Sequence, residues 1–145
     1  MPAKPQKKPK AKPRPPERDY SHRARLDKLG VKAGQRVAVL GIMDADFLEE
    51  LTSRISGFSR EMPRGDADLI FYRAENPADM ALLKALPGAI RKDGAVWVVY
   101  PKGQKHIREA DVLAAGKAAG FTDNKVARFS DTHTALRFVI PIAKR

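Results

Sequence analysis

The sequence predicts an α/β three-layer sandwich with a mostly parallel sheet and an antiparallel C-terminal hairpin. Three observations carry this. Apolar runs at Val37–Leu40 (VAVL), Leu69–Tyr72 (LIFY) and Ala95–Tyr100 (AVWVVY) alternate with stretches of helical spacing. The third run is apolar at six consecutive positions, the pattern of a strand buried on both faces. Two further strand-like segments, Lys125–Phe129 and Thr134–Ile140, follow with only Ser130-Asp131-Thr132-His133 between them.

The elements follow in order. Residues 1–19 form a basic Lys/Pro-rich tail, and residues 20–145 form the α/β domain. Six prolines among residues 1–18 remove backbone donors, and like charges repel, so this tail is expected to stay extended and disordered. Ser21 caps a short helix carrying Ala24, Leu26 and Leu29, which ends at Gly30. The first strand spans Arg36–Leu40. Asp44 or Asp46 then caps a helix whose Phe47, Leu48, Leu51 and Ile55 recur on one face. Phe58–Glu61 is expected as a short strand. Asn76-Pro77 starts a helix with Met80, Leu82, Leu83 and Leu86 as its apolar side, stopped by Pro87-Gly88. Lys92-Asp93-Gly94 turns the chain into the Ala95–Tyr100 strand. The last helix runs from about Ile107 to Ala119, with Gly116 allowing close approach to the sheet.

Charge is unevenly spread. The 145 residues carry 28 Lys+Arg against 17 Asp+Glu, a formal +11. Lys4, Lys7, Lys8, Lys10, Lys12, Arg14 and Arg18 against Glu17 and Asp19 place +5 in residues 1–20. Such a tail can neutralise several phosphates, so weak, sequence-independent contact with nucleic acid or another polyanion is expected there. Its first 19 residues contain no aromatic side chain for stacking on bases.

Several classes are excluded. With no cysteine there is no disulfide scaffold, thiolate metal site or cysteine nucleophile. The basic N-terminus lacks the apolar stretch of a secretory signal, and six apolar residues fall far short of the ~20 that span a bilayer. The expectation is a cytoplasmic protein. His22, His106 and His133 lie far apart with no zinc-type spacing, so no metal is expected. No nucleophile-elbow serine or Walker-type glycine loop occurs. His133, between Thr132 and Thr134, reads as a turn residue bonded to its neighbours, with a base or ligand-binding role as the functional alternative.

The segments DGAVWVVYPKG (Asp93–Gly103) and IREADVLAAGKAAGFTDNKVARFSDTHTALRFVIP (Ile107–Pro141), with SHRARLDKLGVKAGQRVAVLG (Ser21–Gly41), resemble an uncharacterised bacterial domain-of-unknown-function family. Its members are small Rossmann-like proteins, similar in outline to class I methyltransferases. The resemblance covers about residues 20–141 and implies the fold but no agreed activity.

In open α/β sheets ligands bind beyond the carboxyl ends of the strands. Crevice candidates are therefore Gly41 and Asp44 after the first strand, Arg73 after the second, and Pro101 and Lys102 after the third. Glu61, 20 positions beyond Gly41, stands where an acid often grips a ribose. The loop Gly41-Ile42-Met43-Asp44-Ala45-Asp46 has lost the later glycines, which disfavours the adenosylmethionine that the resemblance suggests, and no other cofactor is assigned. Asp44 and Asp46 would repel a nucleotide phosphate at that helix start. The leading expectation is a non-catalytic binding or interaction module whose tail touches a polyanion. The alternative is a divergent methyltransferase-like enzyme or small-molecule cofactor binder using the crevice after the first strand.

Overall fold

Alternating burial along the strands divides the protein into two cores, one on each side of a single sheet. The computed structural model describes residues 25–145. Ser21, His22 and the basic residues Lys4, Lys7, Lys8, Lys10, Lys12, Arg14 and Arg18 lie outside them.

A helical turn at residues 25–28 leads into β1 (Val37–Leu40), α1 (Ala45–Arg54), β2 (Ala67–Arg73), a 3₁₀ segment (Pro77–Ala85), β3 (Ile90–Pro101), α2 (Glu109–Ala118), β4 (Thr122–Arg128) and β5 (His133–Val139). A short 3₁₀ turn at Ile142–Lys144 follows. The five-stranded sheet has the order β1-β2-β3-β5-β4. β1, β2 and β3 are parallel, and β5 is antiparallel to both β3 and β4. β4 therefore runs in the direction of the first three strands. The expected antiparallel hairpin is present, with its second strand one place inside the edge and its first strand at the rim. Composition explains the order. Ala135, Leu136, Phe138 and Val139 of β5 are buried, while β4 buries only Ala127 and suits the rim.

The period of two sorts the side chains cleanly. Val37, Val39, Leu69, Phe71, Ala95, Trp97 and Val99 face α1 and the leading helical turn. Ala38, Leu40, Ile70, Tyr72, Val96, Val98 and Tyr100 face the 3₁₀ segment and α2. All six residues of the Ala95–Tyr100 run are buried.

Three elements differ from the sequence expectation. Phe58–Glu61 contributes only one parallel bridge, Ser59 to Ala38. Ser59 alone exchanges backbone bonds with Val37 and Val39, at 2.9 and 2.8 Å, and the bend at residues 60–61 leaves no length for more. The segment opened by Asn76-Pro77 is 3₁₀ instead of α-helical. Its apolar residues explain the tighter winding: Met80, Leu83 and Leu86 recur at a period of three and pack inward, leaving Leu82 exposed. Lys92-Asp93-Gly94 does not precede a strand but interrupts one. Ala67 pairs with Ile90 and Leu69 with Ala95, so residues 91–94 bulge from β3 opposite Asp68 alone. A side chain at Gly94 would lie 2.9 Å from the Ala67 carbonyl, which is why this bulge carries a glycine.

Candidate functional site

Parallel strands end together, and their loops converge at the carboxyl edge of the sheet. β5 adds to this edge because it is antiparallel: its first residue, His133, pairs with Pro101, the last residue of β3. A cavity of about 310 Å³ lies there, lined by Ile42, Met43, Asp44, Arg73, Val99, Phe129, Ser130, Thr132 and His133.

The loop after β1 shapes one wall. Gly41 has φ of +84°, and a Cβ there would stand 3.4 Å from the Arg73 Cβ. Asp44 caps α1 by accepting from the Phe47 amide at 3.1 Å, so the helix start is satisfied by its own carboxylate. Ile42 is buried, and the Met43 sulfur accepts from Arg60 Nη2 at 2.9 Å.

A polar network closes the other side. Glu75 Oε2 accepts from Arg73 Nε at 3.0 Å and pairs with His133 Nε2 at 2.6 Å. His133 Nδ1 lies 2.8 Å from Thr132 Oγ1, which is 3.4 Å from Ser130 Oγ. Ser130 Oγ also accepts from the His133 amide at 3.2 Å. His106 Nε2 donates to the Glu75 carbonyl at 2.9 Å, and the Lys102 amide donates to the Thr132 carbonyl at 3.0 Å. Partial burial pushes the Glu75 carboxyl up, but hydrogen bonds from His133 and Arg73 outweigh it and hold it below its ordinary value of 4.5. Glu75 is therefore ionised at neutral pH and can only accept. Their bond is therefore made by the Nε2–H of His133, and whenever the ring is neutral its lone pair lies on Nδ1.

The structure places Asp44 and Arg73 on the lining of this cavity, with Gly41 next to Ile42 in the chain and close to Arg73. Pro101 ends β3 beside His133, and Lys102 reaches the hairpin through its backbone with an exposed side chain. Glu61 is exposed, is bonded to Ser59 and is not part of the lining. Glu75 and its partnership with His133 are absent from the sequence-derived set. The available signal was topological: an antiparallel last strand must begin where the parallel strands end.

Two larger concavities lie elsewhere. One of about 680 Å³ flanks the start of β1, at Arg36, Ser59 and Asp66. Another of about 890 Å³ separates α2 from the C-terminal turn, at Lys117, Phe121 and Ile142. Neither sits at the carboxyl ends of β1, β2 and β3. Among the described residues no group of three or more His, Asp or Glu stands close enough together to hold a metal ion. Nor is any helix among them long and apolar enough to cross a membrane.

No family model matches the chain, and no curated protein matches it in sequence. Solved structures do match. A SAM-dependent methyltransferase from Aquifex aeolicus superposes with a TM-score of 0.60 at 13% identity, covering 83% of this chain and 89% of the other. A complex of the Haloferax volcanii Trm112 methyltransferase activator with a putative methyltransferase contains a chain matching at TM-score 0.61 and 13% identity, over 86% and 92%. A TehB-like SAM-dependent methyltransferase from Corynebacterium glutamicum gives 0.52 at 13%, over 83% and 88%. At these identities the likeness is one of architecture: the chain has a Rossmann-like, methyltransferase-like fold.

Proposed function

We propose that this protein is a divergent methyltransferase-like domain that binds a small molecule in the strand-end crevice. The observation that carries the reading is the convergence of Arg73, Thr132 and His133, from two separate stretches of chain, on one cavity at the carboxyl ends of β2 and β3, with Glu75 bonded to both Arg73 and His133. The structural likeness to methyltransferases favours this over a bare interaction module. Kinship with the small uncharacterised bacterial family rests on the WVVYPKG and THTALRFVIP segments and belongs to the same proposal.

Adenosylmethionine itself does not fit the residues present. A glycine-rich loop after β1 would offer it bare backbone, whereas this chain has the buried Ile42 and the exposed Met43, whose sulfur is bonded to Arg60. The cavity of about 310 Å³ also lies at the small end of ligand sites, ~300 Å³. The ligand favoured by these walls is smaller than a nucleoside joined to an amino acid.

A thermal-shift panel tests this, with adenosylmethionine, its demethylated product, nucleotides and small carboxylates. A ligand at about 100 times its dissociation constant stabilises by ~2.7 kcal/mol. Shifts with small carboxylates alone support the reading. A shift with adenosylmethionine overturns the exclusion of that donor, and a flat panel removes the crevice proposal.

The charge partition of the sequence favours a second, independent role for the tail as a weak polyanion contact. Replacing Lys4, Lys7, Lys8, Lys10 and Lys12 by Gln should flatten the salt dependence of DNA binding. An unchanged slope would dismiss that role.

A further inference from the structure

The crevice combines a cation, apolar walls and an imidazole whose two nitrogens have different partners. We propose that His133 is the proton acceptor for a small hydroxylated aromatic carboxylate, with Glu75 as its positioning residue. This rests on the reading of the crevice as a ligand site and adds to it the chemical class of the ligand and the group that acts on it.

The tautomer comes first. Because Glu75 is ionised, it accepts the hydrogen bond from Nε2–H, and the lone pair of the neutral His133 ring is directed through Nδ1. The present partner of Nδ1 is the Thr132 hydroxyl, on an exposed residue. A hydroxyl rotates freely, and Ser130 Oγ at 3.4 Å offers it a second partner. Turning the O–H towards Ser130 frees the Nδ1 lone pair, and a χ1 rotation of the exposed Thr132 side chain then vacates the position beside it for a ligand hydroxyl.

The walls select the rest of the ligand. Ile42, Val99 and Phe129 present apolar surface. Arg73 uses Nε for Glu75 and Nη1 for a long 3.5 Å bond to the Gly41 carbonyl, and Nη2 has no protein partner among the described residues. A guanidinium edge open to a cavity suits a carboxylate. Asp44, the acid on the lining, uses Oδ1 for the Phe47 amide, and its negative charge leaves the Arg73 side of the wall as the place for a carboxylate. A cavity of about 310 Å³ holds one substituted ring.

The step is a proton transfer. The ligand O–H bond breaks, its electron pair stays on oxygen, and an N–H bond forms at Nδ1. The resulting imidazolium is balanced by the Glu75 carboxylate, which stays ionised throughout. The charged groups around the ring include Glu75, bonded to Nε2, Arg73, paired with Glu75, Asp44 on the same lining, and the exposed Arg128–Asp131 pair of the hairpin.

The probe is 4-hydroxy-3-nitrobenzoate, whose phenolate absorbs in the visible, added to the full chain at a pH where the free phenol is mostly protonated. Binding to the wild type should generate phenolate. Glu75→Gln should cut the bound phenolate about tenfold. His133→Phe should abolish it, and His133→Gln, which keeps a hydrogen bond towards Glu75, should do the same where Phe disturbs the hairpin. Arg73→Gln should weaken binding about tenfold while leaving the colour of the bound probe unchanged. A merely structural Glu75–His133 contact would alter melting but not this absorbance. Binding without phenolate, or phenolate that survives both His133 variants, overturns the inference and leaves the crevice proposal standing. No binding of the probe or of 3-nitrobenzoate overturns both.

Discussion

The indole Nε1–H of Trp97 donates to the Leu29 carbonyl at 2.9 Å, joining the centre of β3 to the helical turn that precedes β1. Trp97 is completely buried and lies 68 residues from its partner. Trp97→Phe removes this donor, strands a buried carbonyl and leaves a gap. The expected loss is about 2–4 kcal/mol in urea unfolding followed by far-UV circular dichroism.

Gly116 of α2 packs directly on β5. A Cβ at this position would fall 2.2 Å from Phe138 Cε1, and the Phe138 ring is itself buried against Phe121. Gly116→Ala should cost about 1–3 kcal/mol despite the better helix propensity of alanine. Adding Phe138→Leu should recover part of the loss, which a thermal melt of the double variant checks.

Arg25 and buried Glu50 form a two-bond ion pair on the α1 side of the sheet, with Arg25 Nε donating to Glu50 Oε1 at 2.9 Å. Arg25 Nη1 also donates to the Phe129 carbonyl at 2.6 Å, and the guanidinium stands over the Phe47 and Phe129 rings. Arg25→Ala should cost about 3 kcal/mol, whereas Arg25→Met with Glu50→Leu should stay within about 1 kcal/mol of the wild type. Urea midpoints read by the single tryptophan distinguish the two outcomes.

Glu75 should make stability depend on acid pH. Its folded carboxyl titrates below the ordinary 4.5, so in that window the unfolded chain binds more protons and stability rises with pH. The contribution is complete above 4.5 and is lost as pH falls through the lower folded value. The stability gap between wild type and Glu75→Gln should therefore be largest near neutrality and shrink at pH 3, as paired urea titrations would show.

Most of the architecture was legible because local chemistry and burial agree. The VAVL, LIFY and AVWVVY runs, the Asp44 cap and the close approach at Gly116 are each written in adjacent residues. What escaped depends on longer range. Ser59 can make only one bridge because the following residues turn away, and the bulge at Asp93-Gly94 exists only relative to β2. The site is the clearest case. Glu75 and His133 are 58 positions apart, and Glu75 stands just before an Asn-Pro helix start, where it attracts no notice. Their meeting requires the order of strands, which neither local sequence contains.

The reversed direction of β5 has an evolutionary corollary. Because one strand runs against the other four, the tight Ser130–Thr132 connection opens onto the same rim as the crossover loops. Recognition at that rim can thus be retuned by exchanging a handful of hairpin residues, with the pleated framework beneath left undisturbed. A library randomised at Ser130, Asp131 and Thr132 would sample new specificities on an unchanged scaffold.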